Sequence, residues 1–411
     1  MIVCPDQIAT DRDISLLADD MRRHEKELQQ ALHKARVCVI GGAGSIGSAT
    51  VNELARYPLD ELVIIDQNEN ALANLTRTFR SAPEPPQPRT LTTLPFDYAS
   101  ELGRLYFQDH PPFDFILNFA ALKHVRTEKD AISALALIDA NVLKQARFLS
   151  WIADISAKAD YFTVSTDKAA NPVSFMGATK RLMEHVVFNS KASEKLTGRK
   201  VSARFANVAY SNGSLLESFA DRMRQRVPLA APIGISRYFI SMQEAGELCL
   251  LAAILGESER ILIPRLAPEE HLIPVEEIAR RFLSANGYEA DVFTLEEEND
   301  AKASVNALAE QGKWPLILTP ADTAGEKPYE EFAGDGETPE LSKFHALLRI
   351  PYQSGLTASE VEASLEHFTD WMAGRSADQL SLDALKQQIA DLEPRFADAH
   401  ISSAKRLDDR I

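Results

Sequence analysis

Short apolar runs and longer amphipathic stretches take turns along most of this chain. VCVI (37–40), ELVIID (61–66), TLTTLPF (90–96), FDFILNFA (113–120), YFTVST (161–166) and VSARFANV (201–208) read as strands, the most apolar of them buried on both faces. Between them, SIGSATVNELARY (45–57), NENALANLTRTFR (68–80), AISALALIDANVLKQARFLSWIADI (131–155) and VSFMGATKRLMEHVVF (173–188) carry apolar residues at helical spacing. The prolines of SAPEPPQPR (81–89) make that segment a surface connection. Regular strand–helix alternation predicts an α/β fold, a doubly wound parallel sheet over residues 36–210.

The flanks read differently. Ile14, Leu17, Met21, Leu28 and Leu32 mark a helical extension over 1–35, lying on the outside of the sheet domain. Beyond 210 the pattern loosens, and 211–345 reads as a smaller, partly irregular region. Within it TLEEEND (294–300) and AGEKPYEEFAGDGE (324–337) are acidic and turn-rich, as solvated connections are. Residues 346–411 hold terminal helices, the first opened by Thr357 or Ser359 as cap.

Composition narrows the partners. Of 411 residues, 44 are Lys or Arg and 60 are Asp or Glu, a formal charge of −16. Such a surface repels nucleic acid and anionic lipid, while a local basic pocket can still hold phosphate. Cys4, Cys38 and Cys249 are too few and too scattered for a disulfide framework or a zinc site, so no metal is expected. The apolar run Leu248–Leu255 is far short of a membrane span, and the amino terminus lacks the pattern of a secretory signal. A cytoplasmic protein is expected.

The first chemistry lies between the first strand and its helix. In VIGGAGSIGSAT, Gly41, Gly44 and Gly47 stand at GxxGxxG spacing, with Ser45 and Ile46 opening the helix. A glycine loop there lets backbone approach a pyrophosphate, and the helix terminus offers N–H donors. Asp66 ends the next strand 19 residues beyond Gly47 (66 − 47), where a carboxylate accepts from both ribose hydroxyls of adenosine. Gln67, Asn68 and Glu69 follow, without a basic residue, so NAD is favoured over NADP. Asp97, in PFDYA, is placed either to meet the adenine or to cap a helix. These features predict a Rossmann-type domain.

Four further segments carry a resemblance. NFAALKHV (118–125), STDKAANPVSFMGATKRLMEHV (165–186), RFANVAYSNGSLLESF (204–219) and ISRYFISMQEAGEL (235–248) resemble, in order, the signatures of the polysaccharide-biosynthesis, UDP-N-acetylglucosamine 4,6-dehydratase-like family of extended short-chain dehydrogenases/reductases. With AGEKPYEEF the resemblance covers roughly 36–335. It implies an NAD-dependent UDP-N-acetylhexosamine 4,6-dehydratase, a lyase of surface-polysaccharide synthesis, in a soluble short form that assembles as a homo-oligomer. Oxidation at sugar carbon 4 acidifies the carbon 5 proton; a base removes it while an acid protonates the departing carbon 6 hydroxyl.

By that resemblance Asp167 is the acid, Lys168 the base, and Thr166 binds the oxygen at carbon 4. In water an aspartic acid is ionised and a lysine protonated at neutral pH, so these roles need inverted or shared protons in a desolvated pocket. Lys180 is the lysine of the superfamily's YxxxK pair and holds the nicotinamide ribose. The tyrosine position is Met176, which handles no proton. The resemblance also places Ala120 at the cofactor, Lys123 and His124 near substrate and cofactor, Asn207 and Ser211 in the pocket lining, and Arg237 on the diphosphate. Thr323 and Ala324 stand where the family has Arg-Pro before Gly325, Glu326 and Lys327, which removes a nucleotide contact. A nucleotide-sugar 4-epimerase or reductase, and a non-catalytic NAD-binding relative, are the alternatives.

Overall fold

The computed structural model describes residues 2, 5–82, 87–123, 130–320, 329–376 and 378–400. Strands β1 (Arg36–Ile40), β2 (Glu61–Ile65), β3 (Thr90–Leu94), β4 (Phe115–Asn118), β5 (Asp160–Val164) and β6 (Lys200–Ala203) form where the apolar runs lie. They pair in parallel in the order 3-2-1-4-5-6, and β10 (Arg260–Pro264) continues the sheet beyond β6. The sheet ends with two antiparallel additions, β15 (Leu347–Pro351) and β14 (Glu340–Leu341). Strand order reverses between β1 and β4, and register aligns Ile40 with both Ile65 and Asn118. The carboxyl ends of these strands therefore open onto one crevice, the usual ligand position in such sheets.

Alternation within the strands divides the core. Val37, Val39, Leu62 and Ile64 face one apolar cluster, and Cys38, Ile40, Val63 and Ile65 the other. Buried on both faces, these strands could only be continuous apolar runs.

The region after 210 is more regular than its sequence suggests. VSARFANV is not one strand: β6 stops at Ala203, and β7 (Asn207–Val208) joins a separate sheet with β9 (Ser236–Ile240) and β11 (Leu272–Pro274). The break falls at Arg204, whose guanidinium is fully buried in ion pairs. A third, parallel sheet orders β12 (Glu289–Phe293), β13 (Lys313–Thr319) and β8 (Leu229–Pro232). It has its own apolar core, including Phe219, Phe282, Trp314 and Leu316.

TLEEEND is solvated, as expected, but it is helical rather than an irregular connection. Thr294 and Glu297 form a reciprocal capping box ahead of the helix Glu298–Glu310. The amino-terminal helix spans Ala18–Leu32 and buries Met21, Leu28 and Leu32 against the sheet domain, while Ile14 stays outside it, 74% exposed. At the other end Thr357 and Glu360 make the expected capping box of Ala358–Met372. That helix and the following Leu382–Ala390 pack on helices Ala131–Ile138 and Phe175–Asn189 of the sheet domain.

Candidate active site

The glycine loop is built by contacts no side chain could share. Gly41 has φ +70°, and a Cβ on it would lie 2.7 Å from the backbone nitrogen of Ala120. One on Gly47 would stand 2.2 Å from the Gly41 carbonyl. Loop, helix and the end of β4 thus close on one another only with glycine at both places. Gly44 is the N-cap residue of Ser45–Leu54, and Ile46 lies in its first turn. The Asp66 carboxylate accepts from the Ala43 amide at 3.1 Å and the Asn68 amide at 2.9 Å, which ties β2 to the loop. A pyrophosphate and a ribose fit such a cradle.

Asp97 takes another partner. Its carboxylate accepts from the Ala99 amide and meets Lys144 Nζ at 2.5 Å, while Ser100 caps the next helix. The Ala120 amide donates to Asn118 Oδ1 at 3.0 Å. Lys123 is exposed at the end of that loop. His124 lies outside the described residues, as do Thr323, Ala324, Gly325, Glu326 and Lys327.

At the carboxyl end of β5 the chain makes one 3₁₀ turn, Asp167–Ala169, with Thr166 as N-cap. Thr166 Oγ1 donates to Asp167 Oδ1 at 2.6 Å, and Lys168 Nζ stands 3.3 Å from Asp167 Oδ2. Asp167 is buried, whereas the Lys168 side chain is 44% exposed. The helix Phe175–Asn189 closes on this turn through Gly177, where a Cβ would sit 2.4 Å from the Lys168 carbonyl. Met176 is buried beside it. One turn on, Lys180 Nζ donates to the Val164 carbonyl at 2.9 Å. Burial pulls the Lys180 pKa down to about 8, with Glu184 pulling the other way.

Three supports of this site escaped the sequence reading. In the first, the long helix over 131–155 is broken by a π-helical turn, Asp139–Leu143, a device common at functional sites. Within it, the Asn141 amide donates to both the Leu122 carbonyl and Thr179 Oγ1, and its oxygen accepts from the Leu122 amide. It joins the loop after β4 to the lysine helix. In the second, Ser165 donates to Glu184, which Arg204 grips at 2.7 and 2.6 Å. Glu184 is fully buried; burial alone would raise its pKa, but Arg204 and then Arg181 hold it down at about 2. The third is Glu330, a buried carboxyl on the segment after 328. It meets Asn207 Nδ2 at 2.5 Å and Arg237 Nε at 3.1 Å, so Arg237 is already paired. Ser211 is buried near this sheet, and the loop it begins touches the glycine helix: the Asn212 amide donates to Ser45 Oγ at 2.9 Å.

The strand ends therefore gather the glycine loop, Asp66, Ala120, the Thr166–Lys168 turn and Lys180, with Asn207 and Arg237 on the adjoining sheet. A family of proteins described as polysaccharide biosynthesis proteins matches residues 37–351. The chain belongs to that family. Among curated relatives, the probable polysaccharide biosynthesis protein EpsC of Bacillus subtilis is 24% identical over 66% of this chain. The capsular polysaccharide biosynthesis protein CapD of Staphylococcus aureus is 23% identical over the same share. The match spans 44% of the length of each of these two relatives. A UDP-glucose 4-epimerase of Rickettsia bellii is 30% identical over 37% of this chain and 44% of its own. Among solved structures, Pen from Bacillus thuringiensis aligns with a TM-score of 0.63 at 18% identity, covering 80% of this chain and 91% of its own. A double mutant of DesIV, a dTDP-glucose 4,6-dehydratase of Streptomyces venezuelae solved with NAD, gives 0.54 at 17%, covering 82% and 98%. These likenesses establish the fold. Among the described residues no helix is long and apolar enough to cross a membrane, and no cluster of side chains could hold a metal ion.

Proposed function

We propose that this chain is an NAD-dependent nucleotide-sugar 4,6-dehydratase. It would act in the cytoplasm, as a homo-oligomer, on a UDP-N-acetylhexosamine destined for a surface polysaccharide or glycoconjugate. The observation that carries the reading is the Thr166–Asp167–Lys168 turn, on which the helix bearing the buried Lys180 closes through Gly177. NAD supplies the oxidation at carbon 4 and the matching reduction at carbon 6. Gly41, Gly44, Ser45, Ile46 and Gly47 would hold its pyrophosphate, Asp66 its adenosine ribose, and Lys180 its nicotinamide ribose.

The chain's own groups supply the proton chemistry. Thr166 would bind the hydroxyl at carbon 4, pass its proton on to Asp167, to which it donates at 2.6 Å, as that carbon is oxidised, and steady the ketone. Lys168, 3.3 Å from Asp167, would release its own proton as substrate binding excludes water, so that a neutral amine stands beside the newly protonated carboxylic acid of Asp167. Those are the base for carbon 5 and the acid for the carbon 6 hydroxyl, and reacting groups already in place need no diffusional encounter. Buried Met176 offers no proton, which leaves this turn to do the work.

The epimerase named among the relatives favours a second reading, 4-epimerisation. That reaction needs only hydride transfer at carbon 4 and proton transfer at its oxygen, and gives Asp167 and Lys168 nothing to do at carbons 5 and 6. A panel of UDP- and GDP-sugars incubated with purified protein separates the two. A product lighter by one water, with a ketone at carbon 4, supports dehydration; an isomer of unchanged mass refutes it.

A further inference from the structure

Glu330 sits where the substrate-side sheet meets the catalytic turn. Its side chain is 4% exposed and that of Arg237 is 15% exposed. Its Oε1 meets Asn207 Nδ2 at 2.5 Å and Arg237 Nε at 3.1 Å, and its Oε2 accepts from the Tyr238 amide at 3.2 Å. The Tyr238 amide is backbone of β9, and the Asn207 side chain, borne on β7, is itself tied to the Tyr238 carbonyl at 3.3 Å. The carboxylate is thus pinned by the sheet, and it holds the one long side chain of the set. Arg237 also donates through Nη1 to the Ser236 carbonyl.

The segment bearing Glu330 is also fastened to the catalytic turn. Asn171 donates to Glu331 and accepts from the Asp335 amide at 2.9 Å. A Cβ on Gly334 would stand 2.1 Å from the Ala170 carbonyl, so the two backbones touch. Burial raises the Glu330 pKa and Arg237 opposes it, with smaller contributions from Asp167, which raises it, and Lys168, which lowers it. The carboxyl therefore lies within the electrostatic reach of both.

We propose that Glu330 is a positioning residue that orients Arg237 toward the diphosphate of a bound nucleotide sugar. The inference rests on the nucleotide-sugar reading of the cleft. A guanidinium recognises phosphate through a planar fork, and its long stem costs entropy to fix. Glu330 supplies that fixation before substrate arrives, in the manner of a preorganised site. The same carboxylate also cancels part of Arg237's charge. The two effects have opposite signs, so experiment can tell which one governs.

The test uses calorimetric affinity of the full chain for NAD, and for UDP-N-acetylglucosamine in saturating NAD. In Glu330→Gln the amide cannot accept from both Arg237 and the Tyr238 amide. Orientation then predicts sugar-nucleotide affinity about tenfold weaker or more, with NAD affinity within about twofold. In an Arg237→Ala background, Glu330→Gln should change it by less than about twofold, because the residue acts through Arg237. Equal losses in both backgrounds, or tighter binding by Glu330→Gln, overturn the proposal. Should Glu330→Gln lose NAD binding and so its fold, Arg237→Lys takes its place. It keeps the charge without the fork, and unchanged affinity there overturns the proposal too. Wild-type protein that binds the sugar nucleotide without dehydrating it counts against the reaction and leaves Glu330 to be judged by the affinities. Wild-type protein that binds none counts against both.

Discussion

Lys180 keeps its ammonium in a place that disfavours charge. Buried, and donating to the Val164 carbonyl at 2.9 Å, it has its pKa pulled down to about 8. Below that pH it is a cation; above it, a neutral amine. If it holds the nicotinamide ribose, NAD affinity should be flat up to about pH 8 and fall beyond. Lys180→Met should bind more weakly at every pH and lose the fall, which titration at several pH values would show. Asp66 gives a second expectation. Its carboxylate would repel a 2′-phosphate, so Asp66→Ala should weaken NAD and admit NADP; wild-type protein preferring NADP would contradict the assignment. Asp66 is legible from spacing, an acid at the strand end that follows a glycine loop, whereas Lys180 is picked out only by the family resemblance of the segment around it. Glu330 is legible from neither, since its partners Asn207 and Arg237 lie 123 and 93 positions away (330 − 207, 330 − 237). No local pattern announces such a pair.

The helix Phe175–Asn189 is the element on which the site depends. On one side Gly177 closes on the Lys168 carbonyl; on another Glu184 binds Arg204 just beyond β6. Neither partner of that pair is exposed, and Arg181 adds a 3.0 Å contact to Glu184. Arg204→Met should cost about 3–5 kcal/mol at pH 7, because it leaves a buried carboxylate short of charge. The folded Glu184 pKa, about 2, lies below its ordinary 4.5. Its stabilisation is therefore complete above about pH 4.5 and lost as pH falls toward 2. Denaturant unfolding of both proteins at pH 7 and pH 3 should show the gap shrinking at the lower pH; a constant gap would contradict the coupling. Amphipathic spacing announced this helix but not its charges, for Glu184 and Arg204 look like surface residues until the fold buries them. The π-helical turn at Asp139–Leu143 was equally hidden, because its apolar positions still fit an unbroken helix.

Across the whole molecule, the parallel sheet was the most legible part, since strands buried on both faces must be continuously apolar. The region after 210 is less legible, because its order comes from three sheets whose strands are short and far apart in sequence. The carboxyl-terminal helices begin at Ala358, beyond the family match, yet they pack on the lysine helix. Glu393 extends that contact to Arg181 at 2.9 Å and His185 at 2.6 Å. Phe368, fully buried in this packing, should cost about 3–5 kcal/mol when cut to alanine, read as a lowered unfolding midpoint. If these parts together dehydrate a nucleotide sugar, as proposed, the carbon 5 proton must exchange with solvent. The most direct test is to run the reaction in heavy water with a UDP-N-acetylhexosamine and locate deuterium in the product. One deuterium at carbon 5 of a 4-keto-6-deoxy sugar is the predicted result. An epimer with its oxygen retained and no solvent label would contradict it.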